Sequence, residues 1–283
     1  MSIAIDWANK HVNKIRPART LLQNLLVPET RAVILAAHPD DETVGAAATL
    51  MRLQDIFVVY LTDGAPSDHK FWPAEQKSRA EYIRTRRTEA EAALAIAGVS
   101  RRRIFSLGAG DQDSILEIIP RAREFSGLLL WATPALVITH PYEGGHPDHD
   151  TAALLVRLAF EMSRLHSKHL PHLLEMTSYH ARGSDLETGE FLDNQAEEER
   201  VIELSAEEIH RKREMIAAHQ SQAAVLRNFP VGPEKLRFAP QYDFRLPPHP
   251  GKLWYESQGW NITGEHWRSL ARRALTETSK LCA

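Results

Sequence analysis

Cysteine is almost missing: the one residue, Cys282, lies next to the C-terminus. That excludes an internal disulfide and a cysteine-based zinc site. Long apolar runs are missing too, and none approaches the roughly 20 residues that span a bilayer. Met1 to Leu26 mixes Asp6, Lys10, Lys14 and Arg16 with Ile, Trp and Leu. Without the uninterrupted apolar stretch of a signal peptide, it reads as an amphipathic helix within residues 1–30, and the protein as cytoplasmic. Glycine-rich nucleotide loops are absent: no G-x-G-x-x-G follows a strand, and Gly108-Ala109-Gly110 lacks the third glycine. A nicotinamide enzyme is therefore not expected. P-loop, G-x-S-x-G and H-E-x-x-H patterns are also missing. Neither sign of charge dominates, with 34 Lys and Arg against 37 Asp and Glu. A net charge of −3 gives no electrostatic reason to expect nucleic acid as a partner.

What the chain does have is two dense polar stretches, each directly after an apolar run. Ala36-Ala37-His38-Pro39-Asp40-Asp41-Glu42-Thr43 follows Val33-Ile34-Leu35. His140-Pro141-Tyr142-Glu143-Gly144-Gly145-His146-Pro147-Asp148-His149-Asp150 follows Ala135 to Thr139. Both lead into helical patterns, so both read as strand-to-helix turns carrying His and Asp. Together they suggest one composite site.

The rest of the chain supplies the frame. Strands are predicted at 32–37, 56–61, 103–107, 135–139 and 172–179, with Thr62-Asp63-Gly64 as a turn. Helices are predicted at 44–53, 76–97, 114–131 (with Pro120 as a kink or second start), 151–165, 205–224 and 265–280. Asp40 or Asp41 can cap the first of these, and Gly45 with Ala46 to Ala48 would let it pack closely on the sheet. Residues 181–200 are acidic and turn-rich and read as a surface excursion or short hairpin. Strands alternating with helices imply an α/β fold with three αβα layers, a Rossmann-like, mostly parallel sheet of order about 3-2-1-4-5. That order sets strands one and four side by side and opens a crevice at their C-terminal ends. Both polar stretches fall there. One domain over 1–283 is expected, with a core at about 31–225 and a Pro/Trp-rich C-terminal extension, 229–283, packed on it.

Each stretch alone also fits a helix cap or a polar loop. Two of them meeting at the switch point favour chemistry. Zinc takes imidazole nitrogen and carboxylate oxygen, and a catalytic zinc keeps three protein ligands and one open position. The stretches hold acids and bases beyond three ligands, a surplus that a closed structural site would not need.

Ala37-His38-Pro39-Asp40-Asp41-Glu42 together with Gly145-His146-Pro147-Asp148-His149 resembles the PIG-L/LmbE-like zinc deacetylase superfamily, whose members remove N-acetyl groups from GlcNAc-containing molecules. Weaker agreement extends over 31–225 through Thr62-Asp63-Gly64, Arg86-Arg87-Thr88-Glu89, Leu107 to Gln112 and His219-Gln220-Ser221-Gln222. The resemblance implies one Zn²⁺ per chain held by His38, Asp41 and His149. It implies Asp40 as general base, His146 as a charged imidazole facing the oxyanion, and Asp148 as the carboxylate orienting it. Arg86 and Asp111 would hold sugar hydroxyls, with Asp113 an equal candidate to Asp111.

The chemistry agrees with those roles. An acetamide is a poor electrophile, so its hydrolysis needs an activated water, a base and stabilisation of the oxyanion. The expected partner is a small N-acetylated sugar or glycoconjugate, with homo-oligomer formation left open. A zinc amidohydrolase on a non-sugar amide and a non-catalytic, metal-stabilised binding protein are the alternatives; Asp40 and His146 count against the latter. His140, His180 and His219 read as supporting residues. For Trp254, Trp260 and Trp267 burial in a C-terminal core is favoured over sugar stacking or an oligomer contact.

Overall fold

The structure is a computed structural model that describes residues 25–192 and 198–282. Most of the helix expected within 1–30 lies outside the described residues. Strand β1 (Arg31–Ala36) is almost wholly apolar and buried, as befits a parallel strand covered on both faces. Around it, β2 (Asp55–Pro66), β3 (Ile104–Asp111), β4 (Leu136–Thr139) and β5 (His172–Met176) complete the parallel part of the sheet in the order 3-2-1-4-5. This is the expected doubly wound order.

Two further strands extend the sheet. β8 (Arg200–Ile202) and β9 (Glu234–Phe238) add antiparallel pairings beyond β5, while β6 (Tyr179–Arg182) and β7 (Asp185–Thr188) form a separate hairpin. The region after Phe229 thus contains a buried strand where only breaks were expected. Its charges hide it: Glu234 and Arg237 are buried, Glu234 against Lys212 Nζ at 2.7 Å and Arg237 against Glu175 at 2.9 Å. Neither buried ion is left unpaired.

Helices α1 (Asp41–Arg52) and α2 (Arg79–Ile96) lie on one face with α5 (Ala206–Ala218), and α3 (Ile118–Ala132), α4 (Pro147–Ser163) and α7 (Gly264–Leu281) on the other; α6 is a single turn, Ala223–Leu226. Gly45 fits the close approach of α1: a Cβ there would lie 2.8 Å from Thr177 O. The helix expected over 114–131 has a 3-10 turn before it, and Pro120 sits in the first turn of α3, where its missing N–H costs nothing. The helix expected to reach 224 stops at Ala218, and a 3-10 turn, Gln220–Gln222, follows it. There Glu89 takes both the N–H (2.8 Å) and the hydroxyl (2.6 Å) of Ser221.

Thr62-Asp63-Gly64 is not a turn. β2 continues through it to Pro66 with shifted register against β3, and Thr62 bonds Ala37 O through its N–H (3.0 Å) and its hydroxyl (2.8 Å). The fifth strand ends at Met176, so His180 belongs to β6. The tail is tied to the site's foundation. Trp267, fully buried, donates its indole N–H to Thr151 Oγ1 at 3.0 Å and stacks on Tyr142.

Candidate metal-dependent active site

β1 and β4 are hydrogen-bonded neighbours, with Ile34 opposite Ile138. The loops leaving their C-terminal ends therefore meet at the crevice. In the first loop His38 N–H donates to Asp41 Oδ2 (2.7 Å), which closes the turn into α1. The Asp41 carboxylate then faces three imidazoles, with Oδ2 at 3.3 Å from His38 Nδ1 and from His140 Nε2, and Oδ1 at 3.3 Å from His149 Nε2.

The second loop is held from behind. Asp150 accepts the N–H groups of Glu143 (3.2 Å) and Gly144 (3.0 Å). At Gly145 a Cβ would fall 1.9 Å from Tyr179 O, so only glycine fits. His149 stands in the first turn of α4. Its Nδ1 meets the Ser178 hydroxyl at 3.1 Å, and its Nε2 is buried without a hydrogen-bond partner. A second nitrogen engaged in this way is what fixes an imidazole ligand's tautomer. Burial and the neighbouring His140 push the pKa of His149 down to about 4, so it is neutral.

A divalent cation fits this cluster. Its donors are imidazoles and carboxylates with no thiol, and two buried atoms of residues that line the cavity, His149 Nε2 and Asp111 Oδ1, have no hydrogen-bond partner. Donor atoms within 4.8 Å of one another come from His38, His146 and His149; from Asp41, His140 and His149; and from His38, Asp111, His146 and Asp148. The implied trio of His38, Asp41 and His149 straddles the first two groups. His140 is the weaker donor, because its Nε2 accepts Ala37 N–H at 3.0 Å while its ring stacks on His149. Burial opposes charge on His38, yet Asp111, Asp148 and Asp41 prevail and raise its pKa well above 6.5. The carboxylates around it draw positive charge to this point.

Two arrangements differ from expectation. Asp148 does position His146, but through its backbone: Asp148 N–H donates to His146 Nδ1 at 3.1 Å. The Asp148 carboxylate is instead held by Gln112 N–H (2.6 Å) and the Ser114 hydroxyl (2.5 Å), and lies 3.7 Å from His146 Nδ1. With Nδ1 accepting, the ring proton sits on Nε2. Burial and His38 depress the His146 pKa well below 6.5, which makes it a neutral donor and not the expected imidazolium.

Arg86 is the second. It lines the cavity, but its guanidinium already donates to Asp40 Oδ2 (3.1 Å), Pro39 O (2.9 Å) and Gly64 O (3.1 Å). Sugar hydroxyls would have to compete with these partners. Nor does Asp40 cap α1: it occupies the N-cap position, and its side chain turns to Arg86. Burial raises the Asp40 pKa to about 7 against the opposing pull of Arg86. Arg86→Ala should therefore move the acid limb of kcat/KM to higher pH. Loss should be at least about tenfold greater at pH 6 than at pH 9, since one pKa unit below the limb is a factor of ten. A uniform loss across pH, confined to KM, would return Arg86 to simple substrate binding.

Asp111 lines the cavity and Asp113 does not. His180 bonds Ala181 O and lies outside it; His219, fully buried, meets Thr43 Oγ1 at 3.3 Å. Trp260 does reach the site, half-buried, with its ring centroid 4.4 Å from that of His146. Ser178, Ser114 and Gln112 went unnoticed as site residues. No local pattern marks them, because their partners lie 29 to 36 residues away.

Fold and site together define an α/β protein with a buried imidazole–carboxylate cluster at the switch point of its sheet. Residues 33–160, from β1 into α4 and including both motifs, match the family model "PIG-L: GlcNAc-PI de-N-acetylase". Among solved structures it resembles a deacetylase triple mutant of the teicoplanin biosynthetic pathway, at 18% identity and a TM-score of 0.51 over 76% of this chain and 99% of that one. The pseudoaglycone deacetylase of the antimicrobial A40926 gives 17% and 0.54 over 75% and 97%. N,N'-diacetylchitobiose deacetylase from Pyrococcus horikoshii gives 19% and 0.51 over 72% and 79%. At these identities the likeness is one of fold. No curated protein matches the chain. Among the described residues no helix is long and apolar enough to cross a membrane.

Proposed function

We propose that this protein is a zinc-dependent hydrolase that removes an N-acetyl group from an amino sugar or GlcNAc-containing glycoconjugate. The observation that carries the reading is one cavity that holds a cation-binding cluster and, beside it, a carboxylate outside the implied ligand set whose pKa is raised to about 7. His38, Asp41 and His149 would hold the metal. When bound, zinc supplies a Lewis acid that polarises the acetamide carbonyl and makes water acidic enough to ionise near neutral pH.

The chain's own residues do the rest. Asp40, poised near neutrality, accepts the proton of the attacking water and returns it to the amine as the C–N bond breaks, giving acetate and a free amine. His146 Nε2–H donates to the oxygen on which charge develops. Asp111 Oδ1 accepts a substrate hydroxyl. The cavity of about 240 Å³, walled by Phe71, Tyr179, Phe229 and Trp260, is below the roughly 300–1,000 Å³ of drug-sized sites. It takes one ring with its acetamide and leaves the remainder of a larger substrate outside. Trp260 comes from the C-terminal extension, which supports reading 1–283 as one catalytic domain.

A metal-binding protein without turnover has no use for a base at Asp40. The family match and the deacetylases that share the fold favour a sugar over another amide. Purified protein should hold about one zinc per chain, as one three-ligand set requires, and should release primary amine from N-acetyl sugars in a fluorescamine assay. Full metal with no amine from any N-acetyl compound between pH 5 and 10 would overturn the enzyme reading.

A further inference from the structure

Beyond the cavity, a groove runs between the loop after β2, the turn after β3 and the C-terminal segment around Asn261. Cavity and groove share Phe71 and Gln112. Gln112 is held in the left-handed region, φ +72, where glycine is the usual residue. The bond from its N–H to Asp148 fixes that conformation. Gln112 borders both spaces, and its side-chain amide makes no hydrogen bond to the described residues. Directly before it in sequence is Asp111, 6% exposed, which lines the cavity and whose Oδ1 has no hydrogen-bond partner. A non-glycine residue in a glycine conformation, with a free amide at a binding site, points to function.

The groove's chemistry is specific. Gln112 and Asn261 offer amides, which both donate and accept, as hydroxyls do. The Asp113 carboxylate on the same wall takes no hydrogen bond among the described residues. The nearby cations are committed: Lys70 to Asp68 at 2.8 Å, and Arg79 to Asp63 at 2.5 Å. An anion there would meet the Asp68 and Asp113 carboxylates, with the exposed His266 imidazole on the same wall and no free guanidinium or ammonium among the described residues.

We propose that Gln112 determines specificity, and that this groove binds an uncharged polyhydroxyl unit attached to the N-acetylated ring and disfavours a phosphoester there. The inference rests on the deacetylase reading and narrows it. Three substrates with one acetamide each test it: N-acetylglucosamine, N-acetylglucosamine β-linked to galactose, and N-acetylglucosamine 1-phosphate. Wild-type kcat/KM should be about tenfold higher for the disaccharide than for the monosaccharide, the worth of one good hydrogen bond, and lowest for the phosphate. Gln112→Ala should erase the disaccharide's advantage, mainly through KM, and Asn261→Ala should reduce it. Gln112→Gly, which relieves the backbone, should lose the same advantage without a fall in Tm; this separates the amide's role from the turn's. A wild-type ratio near one, an unchanged ratio in both Gln112 variants, or a preference for the phosphate overturns the proposal. If no substrate releases amine, the deacetylase reading fails, and the groove is judged by tryptophan fluorescence titration with the same sugars. Tighter disaccharide binding that disappears in Gln112→Ala then supports it, and equal or absent binding overturns it.

Discussion

His149→Ala is expected to reduce bound metal from about one per chain to near zero and amine release to background, with the far-ultraviolet circular dichroism unchanged. The candidate donor group of His38, Asp111, His146 and Asp148 does not include this ring; the other two of the three, His38, His146 and His149 and Asp41, His140 and His149, pass through it, as does the implied set of His38, Asp41 and His149. Its Nε2 is buried without a partner, and its Nδ1 is held by Ser178. Alanine removes the donor and leaves Asp41 facing one imidazole fewer. A three-ligand centre reduced to two keeps little affinity for zinc. Metal analysis by mass spectrometry on the purified variant reads the result directly. His146→Ala is the control that separates the candidate sets. If His38, Asp41 and His149 are the ligands, that variant keeps its metal while losing most activity. Full occupancy in His149→Ala would refute the ligand role of His149.

Asp40→Asn should lower turnover by about 10² to 10⁴, the range of a lost general base, with metal content nearly unchanged. The direction of the pKa shift makes the pH dependence explicit. Burial, reinforced by Asp41, raises the carboxyl to about 7 while Arg86 pulls it down. The base form is therefore gained as pH rises through that value, and wild-type kcat/KM should climb along an acid limb. A bound cation would move the limb to lower pH, since positive charge favours the carboxylate. In Asp40→Asn the limb should flatten, because the amide does not titrate. Metal lost together with activity would make Asp40 a ligand.

The two predictions rest unequally on sequence. His38, Asp41, His146 and His149 were legible because each sits within a few residues of an apolar strand, and local spacing announces a strand-to-helix turn. The sheet order followed from alternation alone, and the structure repeats it. What spacing could not convey is which atom each side chain offers to its neighbours. Asp148 orients His146 with its N–H and spends its carboxylate on Ser114, Gln112 and His38. A charge two residues along a chain reads as a partner, yet the helix start turns it elsewhere. Arg86 reads as a free arginine on a helix face, but it is buried against Asp40 and two carbonyls.

By itself the sequence determined the α/β class, the parallel sheet, the place of the crevice and the residue types that meet in it. These depend on hydrophobic period and on motifs contiguous in the chain, and both are local. Tertiary structure alone decided the remainder. It paired the buried charges of β9, which made a strand from a charged segment, and it placed Ser178 behind His149. It carried Trp260 from the C-terminal segment to His146, and it set Gln112 on the border of both cavity and groove. Each of these depends on contacts between segments far apart in the chain, where burial and a distant partner, and not the residue's own neighbours, set what a side chain does.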